Sequence, residues 1–295
     1  MSDLLERVAG APITWGVCEV PAWGHQITPE RYLREAGAVG LHATELGPRG
    51  FLPEDPAACA ALLAQYGFRL VGGFVPAVLH EPAVRDAELA GVEASARTLA
   101  GGGAEVLVLA TATGMPQWDR TIDLDSDGWR RLGEGIEAVE EIAGKHDLQV
   151  ALHPHYGTVV QTAQQLERLL ESSPVGLCVD TGHLMVGGAD PLGVVRAVAD
   201  RVRHVHLKDV YPDLAARVHA GEVSYPDAVR QGIYRPLGEG AAHIADVVTQ
   251  LEVSGYDGWY VLEQDVMLED EPAPGGGPLD AARSSKRFLE DLAEG

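Results

Sequence analysis

The chain has 295 residues, 46% hydrophobic and 22% charged, which is long enough for one large α/β barrel or two smaller domains. Its 44 Asp and Glu against 22 Lys and Arg leave a formal net charge of −22. Such a surface repels phosphate backbones and anionic lipids, which excludes nucleic acid and membranes as expected partners but leaves open a small neutral or cation-bound substrate.

Cys18, Cys59 and Cys178 show neither CxxC spacing nor a disulfide framework. The opening MSDLLERVAG lacks the apolar core of a secretion signal, and no apolar run reaches the length of a membrane span. A cytoplasmic protein is expected.

Short β-like runs alternate with stretches of helical period. The first predicted strand is APITWGVC (11–18), followed by a helix capped by Thr28 with Pro29 at its first position. The second strand is 41–47, with a helix from about Pro53; the third is 69–76, with helix 84–100. The fourth is 104–111, with helix 128–145, and the fifth 148–155, with helix 161–172. The sixth is 175–180, with helix 190–200; the seventh, 202–209, reaches helix 241–254 through a long connection. The eighth is 258–265, with a final helix near 279–293.

Eight strand–helix units predict a parallel sheet closed into a TIM barrel, read as one domain over 1–295 because no linker interrupts it. An open doubly wound sheet is the alternative, but no GxGxxG follows the first strand. The glycines of AGGGAEV (100–106) stand between a helix and a strand, the order of a C-cap turn rather than a phosphate cradle. Long connections follow strands four (112–127), seven (210–240) and eight (266–278), on the barrel face that carries chemistry.

Metal- and proton-handling residue types gather at these C-terminal strand ends. They are Glu45 on the second strand, His153 and His155 on the fifth, Asp180 and then His183 on the sixth, His206 and Lys208 on the seventh, and Glu263 on the eighth. Trp15 stands on the first strand, and His80 follows the third, so five of eleven histidines share a rim with three acids. Alternate residues of a strand face one way, which groups His153 with His155 and His204 with His206 and Lys208; His204 lies deeper, without an evident partner. Each residue also has a plain structural reading. A strand-end His can be simply hydrogen-bonded, Asp180 can cap the turn of Thr181 and Gly182, Glu263 can be a rim charge, and Trp15 can be barrel packing. The coincidence of these residue types on four strand ends of one polarity favours a shared divalent metal, which would neutralise the acids.

The motifs TELG (44–47), HPHYGTVVQT (153–162), VDTGH (179–183), HVHLKD (204–209), PLGEG (236–240) and GWYVLEQD (258–265) span nearly the whole chain. On them the chain resembles the xylose-isomerase-like sugar isomerase/epimerase superfamily of TIM barrels, and within it the inosose (2-keto-myo-inositol) dehydratases. The resemblance implies a divalent cation, Mn2+ or Co2+ first, with Mg2+, Zn2+ or Fe2+ also suited. Asp180, His206 and Glu263 match three ligand positions, and His153 stands at the fourth, where the epimerase pattern has a carboxylate. It also implies that His155 and His183 contact substrate, with Glu45 and Lys208 nearby, and that relatives often form homo-oligomers.

Epimerases of this type shuttle a proton between two metal-bound carboxylates, and an imidazole at one position removes that symmetry. The expected reaction is therefore metal-dependent β-elimination of water from a keto-polyol, 2-keto-myo-inositol. Glu263 or Glu45 would be the base, and His155, His183 or Lys208 the acid. Trp15, Tyr234 and Arg235 would close over the ring. The alternative is a ketose or sugar-phosphate isomerase or epimerase on the same scaffold. Cleavage of an oxidised C-glycoside also begins with α-proton removal, and a non-catalytic sugar-binding barrel would lack the ligands.

Overall fold

The computed structural model describes residues 3–115 and 120–295. Seven barrel strands come first: β1 (Val8–Gly10), β2 (Ala43–Glu45), β3 (Arg69–Ala77), β4 (Val106–Thr111), β5 (Gln149–Leu152), β6 (Gly176–Asp180) and β7 (Val202–Leu207). The short strands β8 (Asp209–Val210) and β9 (Tyr234–Arg235) pair antiparallel in a ribbon of their own, and β10 (Tyr260–Leu262) is the eighth barrel strand. The barrel closes in the order β1-β10-β7-β6-β5-β4-β3-β2, all parallel, through the register Val8↔Tyr260. This is the (β/α)8 TIM barrel that the alternation predicts. No helix among the described residues is long and apolar enough to cross a membrane.

Strands covered on both faces read as continuous apolar runs. All six residues of VLVLAT in β4 are buried, and the largest core cluster joins such strands to the inner faces of the surrounding helices. Helix starts follow local chemistry: Thr28 accepts from the Arg31 amide ahead of Pro29–Val39, and Thr162 with Gln165 forms a capping box ahead of Ala163–Ser172. Gly103, at φ +87°, ends the helix before β4 as a turn, in agreement with the reading of AGGGAEV.

Three expectations are corrected or refined. The first strand lies at Val8–Gly10, not 11–18; Pro12 has no N–H for the ladder, and Pro12–Trp15 winds into a 3-10 turn ended by Gly16 at φ +80°. The second helix starts at Pro56, behind an Asp55 cap, rather than near Pro53. The long connection after β7 holds two helices, Pro212–His219 and Tyr225–Arg230, and the predicted connection 112–127 includes residues 116–119, outside the described residues.

That crossover is knotted to the barrel by Asp209. Its Oδ2 accepts the amides of Gly238 and Gly240, each at 2.9 Å, and its Oδ1 those of Val210 (2.9 Å) and Ala242 (3.0 Å). A Cβ at Gly240 would collide with this carboxylate, and one at Gly238, at φ +87°, would collide with the Phe288 ring, which accounts for the two glycines of PLGEG.

Candidate active site

The VDTGH segment shows how one residue serves two ends. Asp180 finishes β6, and its Oδ1 accepts the His183 amide at 2.7 Å, capping the short helix Thr181–Val186. One oxygen therefore does cap the turn, through the His183 amide rather than the amides of Thr181 and Gly182. The other, Oδ2, turns into the barrel mouth, 3.3 Å from His153 Nε2, 3.6 Å from His206 Nδ1 and 3.3 Å from Lys208 Nζ. His206 Nδ1 lies 3.3 Å from Glu263 Oε2.

These atoms fit a divalent cation. His153 Nε2, Asp180 Oδ2 and His206 Nδ1 are buried and lack an aligned hydrogen-bond partner, a costly state for three polar atoms facing one another. Asp180, His206 and Glu263 offer ligand atoms within 4.8 Å of one another, as do His153, Asp180 and His183. The mixed imidazole and carboxylate set suits a transition metal.

Glu45 crosses the barrel floor to this cluster. Its Oε1 lies 2.9 Å from His204 Nε2 and 3.1 Å from His206 Nε2, which supplies the partner that the sequence withheld from His204. With Nε2 of His206 bonded to the carboxylate, Nδ1 is left facing Asp180 and Glu263. Burial alone would raise the Glu45 carboxyl, but His206 and His204 hold it below the ordinary range.

Lys208 is 1% exposed and stands among three carboxylates: Asp265 Oδ1 at 2.7 Å, Glu263 Oε2 at 2.9 Å and Asp180 Oδ2 at 3.3 Å. Burial opposes its charge, yet these acids hold it well above the ordinary lysine range. Burial would likewise raise Glu263, but His206 and Lys208 pull it down to about 2. The two remaining histidines go the other way. Burial, reinforced by His153 and Lys208, pushes His155 down to about 3, and burial with His155 and Lys208 takes His183 well below its usual value.

A cavity of about 1130 Å³ opens onto this floor. Glu45, His153, His155, His206, Lys208, Glu263 and Asp265 line its charged side, while Ile13, Leu46, Phe74 and Pro76 form an apolar wall. Asp180 and His183 lie behind the lining; the His183 ring sits 3.8 Å from that of His155.

Three residues expected over the substrate are placed elsewhere. Trp15 is buried in the core beside Tyr32 (5.1 Å between ring centroids), with its indole N–H donating to Glu35 Oε2 at 2.9 Å. Its position in a turn rather than a strand swings it away from the mouth. Arg235 stacks over Tyr211 at 5.3 Å and does not line the cavity. Tyr234 is covered, its ring 5.0 Å from Lys208 Nζ; its neighbour Tyr225 reaches the cavity instead. His80 of the expected rim is also buried apart from the cavity, 3.7 Å from Glu81. Sequence reasoning missed Asp265, Tyr225 and Trp23. Of these, only Asp265 carried a signal, since it stands two residues beyond Glu263 in LEQD.

A family model described as xylose isomerase-like TIM barrel matches residues 32–292. The inosose dehydratase of Geobacillus kaustophilus (strain HTA426) is 30% identical over 297 residues, covering 97% of this chain and 94% of that protein. The rhizopine catabolism protein MocC of Rhizobium meliloti is 32% identical over 296 residues, covering 97% and 88%. Among solved structures, the IolI protein with a binding zinc atom shares the fold, with a TM-score of 0.72 at 13% identity over 98% of each chain. Matched over most of its length, this chain belongs to the xylose isomerase-like TIM-barrel family.

Proposed function

We propose that this protein is a divalent-metal-dependent lyase that removes water from a keto-polyol, with 2-keto-myo-inositol as substrate. The observation that carries this reading is the asymmetry of the mouth: the fifth strand end presents His153, and the Glu263 carboxylate at the cavity faces the Lys208 ammonium at 2.9 Å. A carboxylate beside a cation is suited to one-way elimination, whereas proton shuttling between two faces needs matched carboxylates. The curated relatives named inosose dehydratase support the substrate.

His153, Asp180, His206 and Glu263 would hold the cation, which when bound supplies Lewis acidity toward a ketone oxygen and offsets two acids beside Lys208. Mn2+ or Co2+ is our reading of its identity, as the family resemblance implies; the mixed nitrogen and oxygen donors suit a divalent transition metal in general. Glu263, ionised at neutral pH, takes the proton α to the ketone. His155 and His183 are neutral there; His155, at the cavity, orients hydroxyls by hydrogen bonding with the His183 ring packed behind it, and the acid role is left to Lys208. Glu45 orients His206, and Ile13 and Phe74 keep water off the ring. The proposal places the enzyme in the cytoplasm, with a small polyol as its partner.

A second reading, ketose isomerisation or epimerisation, draws on Glu45, a carboxylate that lines the cavity and bonds His206 as Glu263 does from the other side. One experiment separates the two: NMR of 2-keto-myo-inositol in deuterated water with metal-loaded and chelator-treated protein. Dehydration by the loaded form alone is expected. Deuterium entering the substrate without loss of water would favour the second reading, and dehydration untouched by the chelator would sink the metal dependence.

A further inference from the structure

We infer that Asp265 is the positioning residue for C–O cleavage: it holds the Lys208 ammonium at the floor and ties it to the crossover between β7 and β10. The inference rests on the dehydratase reading and deepens it.

Lys208 has three acidic neighbours, but they differ in what else they do. Asp180 and Glu263 belong to groups of converging ligand atoms, whereas Asp265 belongs to none of those found among the described residues. It makes the shortest of the three contacts, 2.7 Å, and its other oxygen accepts from Tyr225 OH at 2.6 Å. Tyr225 OH meets Tyr234 OH at 2.9 Å, and the Tyr234 ring comes back to Lys208 Nζ at 5.0 Å. The four side chains therefore form a closed circuit, each at most 6% exposed.

The stem of Lys208 is constrained as well. A Cβ at Gly182 would lie 2.7 Å from Lys208 Cγ, so the glycine of VDTGH is the space the stem occupies. A flexible ammonium that must keep one position inside a protein needs a dedicated counter-charge. Once a cation claims Asp180 and Glu263, Asp265 is the acid still committed to Lys208. Tyr225 and Tyr234 belong to the crossover, so one carboxylate joins the cavity wall to the ammonium.

Elimination has two parts. The α C–H bond breaks, its proton going to Glu263 while its electron pair forms the C=C bond. The adjacent C–O bond breaks toward oxygen, which takes a proton from Lys208 Nζ and leaves as water. Removal and return of the α proton alone require no ammonium. Loss of Asp265 should therefore divide the two parts, and a residue serving the fold alone would not.

The test compares metal-loaded wild type, Asp265→Asn and Tyr225→Phe on 2-keto-myo-inositol in deuterated water, following α-deuteration and water loss in the same sample. For Asp265→Asn, water loss should fall on the order of 10–100-fold, the usual effect of an outer-sphere partner, while α-deuteration and metal content persist. Tyr225→Phe keeps the carboxylate and should show the same split at smaller amplitude, which carries the test if Asp265→Asn does not fold. Equal loss of both rates, no loss of either, or loss of metal would overturn the positioning role while wild-type dehydration still stood. A wild type that deuterates without eliminating water would instead overturn the dehydratase reading, and this inference with it.

Discussion

The two halves of the barrel mouth differ in kind. β1 to β4 end on Gly10, Glu45, Ala77 and Thr111; their strand ends carry one carboxylate, Glu45, beside the apolar wall of Ile13, Leu46, Phe74 and Pro76, while the following loops and helices bring Glu19, Arg49, Glu54 and Glu88 to the cavity. The half from β5 to β10 ends on or beside His153, Asp180, His206 with Lys208, and Glu263 with Asp265. The contrast shows how a barrel tolerates so many buried ionisable groups: gathered on one side, each has an opposite charge or a polar partner within about 4 Å, where burial would otherwise expel it. The other side sets Ile13, Leu46, Phe74 and Pro76 against the cavity, an apolar surface that can meet the face of a ring. Glu45 is the exception that proves informative, reaching across to pair with imidazoles of the charged half.

Substitutions in the charged half should produce the largest effects. Asp180→Asn preserves an oxygen for the His183 amide and removes the charge of the converging oxygen, so the fold should survive. Metal affinity measured by chelator competition should fall by more than about 100-fold, beyond the range of an outer-sphere residue. An unchanged affinity would remove Asp180 from the ligand set. Glu45→Gln comes next, with an expected loss of about 10–100-fold in metal affinity, because the tautomer of His206 would no longer be held by a carboxylate. If affinity held steady and α-deuteration disappeared, Glu45 would be the base, and the contrast between the halves would weaken.

Much of this was legible in the chain itself, for reasons that can be traced. β4 to β6 are largely apolar runs buried on both faces, a pattern that the sequence shows directly, and Thr28 with Pro29 announced its helix. Period two on the last strands also placed His153, His206 and Glu263 at one rim. Pairing over distance was hidden: Glu45 and His204 lie 159 residues apart, and nothing local couples them. Asp265 was printed beside Glu263 yet had no local reason to be more than a loop acid until Tyr225, in a connection without period, met its second oxygen. The first strand failed because APITWGVC has strand-like side chains but a proline where the ladder needs an N–H.

Trp15 gives the smallest effect and the sharpest check on the apolar half. The sequence leaves Trp15 between barrel packing and a place over the substrate ring, and its indole is 1% exposed, edge-on to Tyr32 and bonded to Glu35. Trp15→Phe removes one hydrogen bond and part of one ring from the core, and should lower stability by about 1–2 kcal/mol. Denaturant unfolding would read this as an earlier midpoint with an unchanged slope. Because no part of the change reaches the cavity, KM for the keto-polyol should be that of the wild type. A raised KM at unaltered stability would put Trp15 against the substrate and give the first half of the barrel a binding role beyond its apolar wall.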